Sequence, residues 1–173
     1  MNVAFTATQV GSSHPSDNAS LSALKKDIAS RREEFSRQQF VSHDIVERLR
    51  KLGVYRAMIA KQFCGDELSP AEFCRLIESI SVADGSVGWV ASFGVSHIYL
   101  AALPEATLRQ IYSDGPDVVF AGVQFPLLPA TRTADGYIIN GRWKFGSGCT
   151  SASVIGVGVM VENLSGLFGK VEV

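Results

Sequence analysis

The spacing of apolar residues changes at Ser113–Pro116, and this change constrains the fold more than any other feature of the chain. Before the break, apolar positions recur every three or four residues, which is typical of amphipathic helices. After it, short apolar and β-branched runs alternate with turn residues such as Asn140-Gly141, which is typical of strands and hairpins. The sequence therefore predicts an α+β fold, with a mobile leader at 1–20, a helical domain at 21–115 and a β domain at 116–173.

Two helices of the first domain are especially well marked. Ser69–Glu72 combines an N-cap serine, a proline at the first helical position and the returning acid of a capping box. Ser86–Ala102 is apolar on nearly every side, which predicts a fully buried helix. Three other helices are expected. One begins at Leu21, one is capped by Asp44 and ends at Gly53, and one runs from Pro104 to Tyr112.

One predicted strand carries a pattern suited to a planar ligand. Strands are expected at 118–123, 130–133, 137–139, 142–145 and 154–161. Because alternate strand residues share a face, Trp143, Phe145 and Ser147 are expected to point to one side. Gly146 and Gly148 allow the backbone to approach a ligand closely, so a flat cofactor is the natural candidate.

Composition excludes several classes of function. The 16 Lys and Arg are interleaved with 17 Asp and Glu, so the chain has no basic stripe for nucleic acid. No apolar run approaches the roughly 20 residues that span a bilayer, so no membrane contact is predicted. The 3 cysteines are widely spaced and odd in number, which predicts neither a disulfide framework nor a metal site and favours a cytoplasmic location.

Two segments carry a resemblance to a known family. Phe120–Pro126 and Gly141–Cys149 resemble the central domain of the acyl-CoA dehydrogenase superfamily. The chain looks most like its two-component flavin-dependent monooxygenases, such as the oxygenase of 4-hydroxyphenylacetate hydroxylase. The dehydrogenases of this superfamily carry Trp-Ile-Thr where this chain has Phe145-Gly146-Ser147, and Thr-Glu-Pro where it has Gln124-Phe125-Pro126. Both departures favour the monooxygenase branch.

The resemblance also implies an architecture and a set of partners. In the superfamily the helical domain is followed by an antiparallel β-barrel and then by a second helical bundle. Only the start of the barrel is expected here, so the chain resembles an amino-terminal portion of such an enzyme. The implied function is oxidation of a small aromatic substrate with O2 and reduced flavin, FAD or FMN, supplied by a separate flavin reductase. The full-length relatives imply a homo-oligomer.

The resemblance assigns cofactor contacts to four residues. It places Ser147 at the N5 edge of the flavin, where its dipole would act catalytically, and Gly146 beside it. Phe145 would flank the ring, and the amide of Gln124 would meet the pyrimidine edge. The competing interpretations are a turn serine, a core aromatic and a surface glutamine.

Two further residues are candidates for substrate contacts. The resemblance places His97 where a histidine accepts the proton of a phenolic substrate, and Trp89 lies on the same predicted helix. The competing interpretation of His97 is a hydrogen-bonded core residue. Two other functions stay open: an acyl-CoA dehydrogenase with tightly bound FAD, and a non-catalytic assembly module.

Overall fold

The structure, a computed structural model, describes residues 16–161. The helices are α1 (Ser16–Ser30), α2 (Arg32–Gln38), α3 (His43–Lys51), α4 (Pro70–Ser81), α5 (Gly85–Ser92), α6 (His97–Leu100) and α7 (Glu105–Ile111). Short 3-10 helices lie at Lys61–Phe63, Phe93–Ser96 and Cys149–Ser151, and the strands are β1 (Phe120–Arg132), β2 (Tyr137–Ile139) and β3 (Val154–Val161). Across the described residues, no helix has both the length and the apolar character to cross a membrane.

The helix ends show how local sequence sets the helical part. The capping box at α4 is confirmed: the Glu72 amide donates to Ser69 Oγ at 3.3 Å, and the Ser69 amide donates to Glu72 Oε2 at 2.9 Å. Gly53 closes α3 with a φ of 79°, as predicted. The predicted cap at Asp44 is wrong, because Ser42 holds the N-cap position and the Asp44 carboxylate accepts a hydrogen bond from Arg31 at 2.6 Å.

The predicted leader and the predicted buried helix both differ from the structure in part. Residues 1–15 of the leader lie outside the described residues, and α1 begins at Ser16. The helix predicted at Ser86–Ala102 is instead α5, a 3-10 turn and α6, and it is not buried all round. Trp89 is 61% exposed and Tyr99 is 53% exposed, because this face of the helical segment borders an open cleft.

The strands form an open mixed sheet, which corrects the expected antiparallel barrel. The strand order is β2-β1-β3, with β1 antiparallel to β2 and parallel to β3. The two strands predicted at 118–123 and 130–133 are one continuous strand, β1. After β2 the chain returns through an irregular segment to the other edge of β1, and this crossover makes β3 run parallel to β1.

A bulge in β1 lies next to the cleft. Val123 pairs with Val157 and Leu128 pairs with Val159, so residues 124–127 face Gly158 alone. A side chain at Gly158 could not fit, because its Cβ would lie 2.0 Å from the Gln124 carbonyl oxygen. The bulge turns Gln124 and its neighbours out of the ladder toward solvent.

The start of β1 ties two apolar cores together. One core joins α1, α3 and α5 around buried residues such as Leu24, Ile45 and Val87, and the other lies around Leu100 and Leu108. Consecutive residues of the segment that leads into β1 enter different cores. Val119 packs in the first core, whereas Val118 and Phe120 pack in the second.

Candidate functional site

The loop between β2 and β3 carries the predicted cofactor residues. The strand predicted at 142–145 is wrong, since this segment has no ladder partner in the described sheet. Instead, the Trp143 indole donates to the Gly158 carbonyl at 3.2 Å and holds the loop on β3. The Ser147 amide donates to the Phe145 carbonyl at 2.9 Å, so a tight turn presents these residues.

Phe145 has an unusual conformation for an aromatic residue. Its φ is 62°, in the left-handed region, and its side chain is 94% exposed. The left-handed conformation costs a residue with a Cβ about 1–2 kcal/mol. Neither burial nor backbone preference favours this arrangement, and such strain is typical of ligand-binding positions.

The smaller of two clefts gathers most of the predicted site residues. It has a volume of about 280 Å³ and is lined by Gln124, Phe145 and Ser147 from the β part and by Trp89 from α5. Tyr99 of α6 also lines it. The structure therefore brings together three predicted cofactor residues and one predicted substrate residue.

Three glycines of the sheet line the smaller cleft. Gly122 of β1 pairs with Gly156 of β3, and Gly158 lies two residues further along β3. Because these three residues carry no side chain, a planar ring system could approach the backbone closely here. With the exposed Phe145 ring, the Gln124 amide and the Ser147 hydroxyl, this donor set fits an isoalloxazine.

A larger cleft of about 600 Å³ lies beside the first. It runs between α2, the start of α5 and residues 146–150. Gly146 lines this cleft and not the smaller one; its Cβ would lie 3.1 Å from the Val123 side chain, so the glycine lets the loop rest on β1. Trp89 and Ser147 line both clefts and form their common wall.

His97 lines neither of the two clefts. Its side chain is 5% exposed, and Nδ1 lies 2.9 Å from the Tyr112 hydroxyl. Burial lowers the pKa of His97 to about 4 and raises the pKa of Tyr112 to about 12. The imidazole is therefore neutral at pH 7, and its role toward a substrate stays a prediction.

Tyr99 is a cleft residue that sequence reasoning missed. Residues two positions apart on a helix point in different directions, so the buried His97 leaves Tyr99 facing outward. The signal available in the sequence was the hydroxyl of Tyr99, a polar group on a helix that was predicted to be buried on all sides.

Within residues 16–161, no three His, Cys, Asp or Glu side chains come together as metal ligands.

Comparisons with known proteins agree with this geometry. Residues 21–111 match the family described as "Acyl-CoA dehydrogenase, N-terminal domain". The chain is 59% identical over 126 residues to the indole-3-acetate monooxygenase of Acinetobacter baumannii, across 73% of this chain and 32% of that protein. It is 28% identical over 134 residues to the flavin-dependent monooxygenase, oxygenase subunit HsaA, of Rhodococcus jostii, across 77% of this chain and 35% of that protein.

A solved structure supports the same relationship. The 3-HSA hydroxylase from Rhodococcus sp. RHA1 superposes with a TM-score of 0.78 at 27% identity, over 88% of this chain and 40% of that one. The chain spans about a third of the length of the curated relatives, 32% and 35%. The predicted resemblance to flavin-dependent monooxygenases is confirmed. Because the family match at 21–111 covers more than half of its 173 residues, the chain belongs to the acyl-CoA dehydrogenase N-terminal domain family.

Proposed function

We propose that this chain forms part of the oxygenase component of a two-component flavin-dependent monooxygenase that acts on a small aromatic substrate. The observation that carries the proposal is the smaller cleft, which is lined by the strained, exposed Phe145 and by three glycines of β1 and β3. Relatives with monooxygenase names at up to 59% identity support it. Dehydrogenase chemistry is less favoured, because Phe145-Gly146-Ser147 replaces the Trp-Ile-Thr of that branch.

Each cleft residue has a distinct part in this proposal. Reduced flavin, when bound, supplies the electrons that activate O2 for oxygen transfer to the aromatic ring. Phe145 would stack on the flavin ring, and the Gln124 amide would hydrogen-bond its pyrimidine edge. Ser147 Oγ would accept a hydrogen bond from the flavin N–H that faces it and so hold the proton there. Trp89 of α5 and Phe93, which follows α5, line the cleft on its helical side and would pack against the flavin or the substrate there.

The relatives also suggest the wider setting. We propose an indole-type or phenol-type substrate, because the A. baumannii relative is named for indole-3-acetate. A separate flavin reductase delivers reduced FAD or FMN, the working enzyme is a homo-oligomer, and its location is cytoplasmic. The choice between FAD and FMN is left open.

A chimeric enzyme tests this function. Residues 1–173 are joined to the remaining two thirds of the A. baumannii relative and supplied with NADH and a flavin reductase. We expect oxygen-dependent consumption of indole-3-acetate. Ser147→Ala is expected to lower the ratio of oxygenated product to hydrogen peroxide roughly tenfold or more, as for loss of one positioned dipole. Ser30→Ala is the matched control, because its hydroxyl donates to the Asp27 carbonyl at 2.8 Å and Ser30 lines neither cleft.

Two outcomes contradict the proposal. A chimera that oxidises an acyl-CoA without oxygen supports the dehydrogenase alternative. A folded chimera that binds no flavin supports the assembly-module alternative. If the product ratio is unchanged in Ser147→Ala, only the proposed role of that hydroxyl is wrong, and Ser147 is a turn residue.

A further inference from the structure

We propose that His43 is a positioning residue for the cofactor loop, defined as residues 141–151, and that it acts on the loop through Ser151. This inference rests on the proposed function, because it takes Phe145 and Ser147 of this loop as flavin contacts. His43 Nδ1 lies 3.3 Å from Ser151 Oγ, and this contact joins the first residue of α3 to the end of the loop. The helical part therefore fixes one end of a loop that belongs to the β part.

Helix α3 is a firm support for this contact. Its side chains Ile45, Val46 and Leu49 are buried in the core that joins α1, α3 and α5. The His43 side chain itself is 70% exposed, so burial does not determine where its ring lies. The polar contacts with Ser151 and Glu47 are what orient the ring.

Glu47 determines which nitrogen of His43 carries the proton. Its Oε1 lies 4.0 Å from His43 Nε2, one helical turn away, and a carboxylate there favours the proton on Nε2. We therefore assign Nδ1 as the acceptor of the hydrogen bond that the Ser151 hydroxyl donates. Arg50 donates to Glu47 Oε2 from Nε at 3.1 Å and from Nη2 at 2.6 Å, which holds the carboxylate in place. A short chain of polar contacts on α3 thus orients the imidazole toward the loop.

Successive turns connect Ser151 to the predicted flavin contacts. The Ser151 amide donates to the Gly148 carbonyl at 3.2 Å, and the Ser147 amide donates to the Phe145 carbonyl at 2.9 Å. A third backbone bond, across residues 146–149, overlaps both turns. Because overlapping turns leave the backbone few free dihedral angles, a displacement of Ser151 is passed on to Ser147.

The loop has an anchor toward each end. The Trp143 indole donates to the Gly158 carbonyl at 3.2 Å and holds the first part on β3, whereas His43 holds the last part on α3. The exposed, left-handed Phe145 lies between the two anchors. Loss of one anchor lowers the population of the loop conformation that binds flavin, and the apparent affinity falls by the same factor.

Ser, His and Glu also occur together in hydrolytic triads, but the geometry here does not favour that chemistry. The 4.0 Å between Glu47 and His43 is too long for a hydrogen bond, and Arg50 already binds the other oxygen of this carboxylate. Ser151 lines neither cleft, so neither offers a substrate to its hydroxyl.

Two substitutions of His43 test the positioning role. The amide of asparagine reaches the place of Nδ1, whereas the amide of glutamine reaches the place of Nε2. In a fluorescence titration with FMN, we expect His43→Gln and Ser151→Ala each to weaken binding about fivefold, as for loss of one hydrogen bond. His43→Asn is expected to stay within about twofold of the parent chain. The double variant of His43→Gln with Ser151→Ala should be no weaker than either single variant, because both remove the same bond.

Lys25 and Ser79 form the matched control pair. Lys25 Nζ donates to Ser79 Oγ at 2.8 Å between α1 and α4, and neither residue lines a cleft. Ser79→Ala therefore removes a serine hydroxyl from a contact between elements and should leave FMN binding unchanged. In ¹⁵N spectra of the chain without ligand, His43→Gln and Ser151→Ala should move the amide signals of residues 145–147. His43→Asn and Ser79→Ala should leave them in place.

Three results would decide against these expectations. Unchanged FMN binding and unchanged loop signals in His43→Gln overturn the positioning role. Equal weakening by His43→Asn and His43→Gln, or additive effects in the double variant, also overturns it, because neither fits a single bond through Nδ1. If the parent chain binds no FMN while the loop signals follow the expected pattern, the anchor stands and the proposed function is contradicted.

Discussion

Replacing Phe145 separates the backbone strain at this residue from the contribution of its ring to ligand binding. The side chain is 94% exposed, so its removal costs almost no buried area. A φ of 62° costs a residue with a Cβ about 1–2 kcal/mol, whereas glycine adopts it without that cost. Against this gain, glycine loses about 0.5–1 kcal/mol more backbone entropy on folding. Phe145→Gly is therefore expected to raise the free energy of unfolding by about 1 kcal/mol.

Phe145→Ala is the matched control, because it removes the ring and keeps the strain. We expect its stability to stay within about 0.5 kcal/mol of the parent chain. At ordinary sites alanine is the more stable of the two residues, so a more stable glycine variant reverses the usual order. With an m-value near 2 kcal/mol/M, urea unfolding followed by circular dichroism should show a midpoint about 0.5 M higher for glycine than for alanine.

Flavin binding is expected to fall in both variants. Stacking of a base on an aromatic side chain contributes about 1–3 kcal/mol, so loss of the ring predicts FMN binding roughly 5- to 150-fold weaker. A fluorescence titration of FMN measures this change. The strain argument is refuted if Phe145→Gly is less stable than Phe145→Ala. The stacking argument is refuted if both variants bind FMN as tightly as the parent chain.

Three further changes test other parts of the structure. Burial lowers the pKa of His97 from 6.5 to about 4, so its contribution to stability is complete above pH 6.5 and falls as the pH decreases toward 4. Between pH 7 and pH 5 this loss is about 2 kcal/mol in urea unfolding, and His97→Gln should remove this part of the pH dependence; an unchanged dependence contradicts the buried, neutral imidazole. Gly158→Ala forces a Cβ toward the Gln124 carbonyl and should cost about 1–3 kcal/mol and weaken FMN binding, whereas Gly85→Ala, with open space at its Cβ, should be neutral in stability. Ser69→Ala removes the capping box and should lower the unfolding free energy by about 1 kcal/mol; no change would show that α4 does not depend on its cap.

Local sequence signals predicted the helical part well. The capping box at Ser69–Glu72 and the terminating Gly53 depend on contacts within a few residues, so the sequence contains the whole cause. The cap at Asp44 failed because a distant partner, Arg31, binds that carboxylate. The helix at Ser86–Ala102 failed for a related reason: its apolar outer face borders a cleft that the β part forms, and composition alone does not reveal a cleft.

The sheet shows what periodicity leaves undetermined. Alternation predicted the residues of β3 correctly but carries no information on the direction of its neighbour, so the parallel pairing of β1 with β3 was missed. In the loop, the residue types at Phe145 and Ser147 predicted a shared site, while the reason given, a strand, was wrong. The turn from Phe145 to Ser147 is a local contact, whereas the bond from Trp143 to Gly158, which holds the loop on β3, is a tertiary contact that the pattern does not reveal.

The alternation of Val118, Val119 and Phe120 between two cores makes the entry to β1 part of a single cooperative unit. Because both cores contain residues of this short segment, opening of one core should disturb the packing of the other. Amide hydrogen exchange in α3 and around Tyr112 should therefore report similar opening free energies. The same segment leads directly to Gly122 and Gln124 in the smaller cleft. We therefore expect the ladder amides of β1 that border the cleft to be better protected from exchange than the amides of residues 144–147, which have no ladder partner in the described sheet.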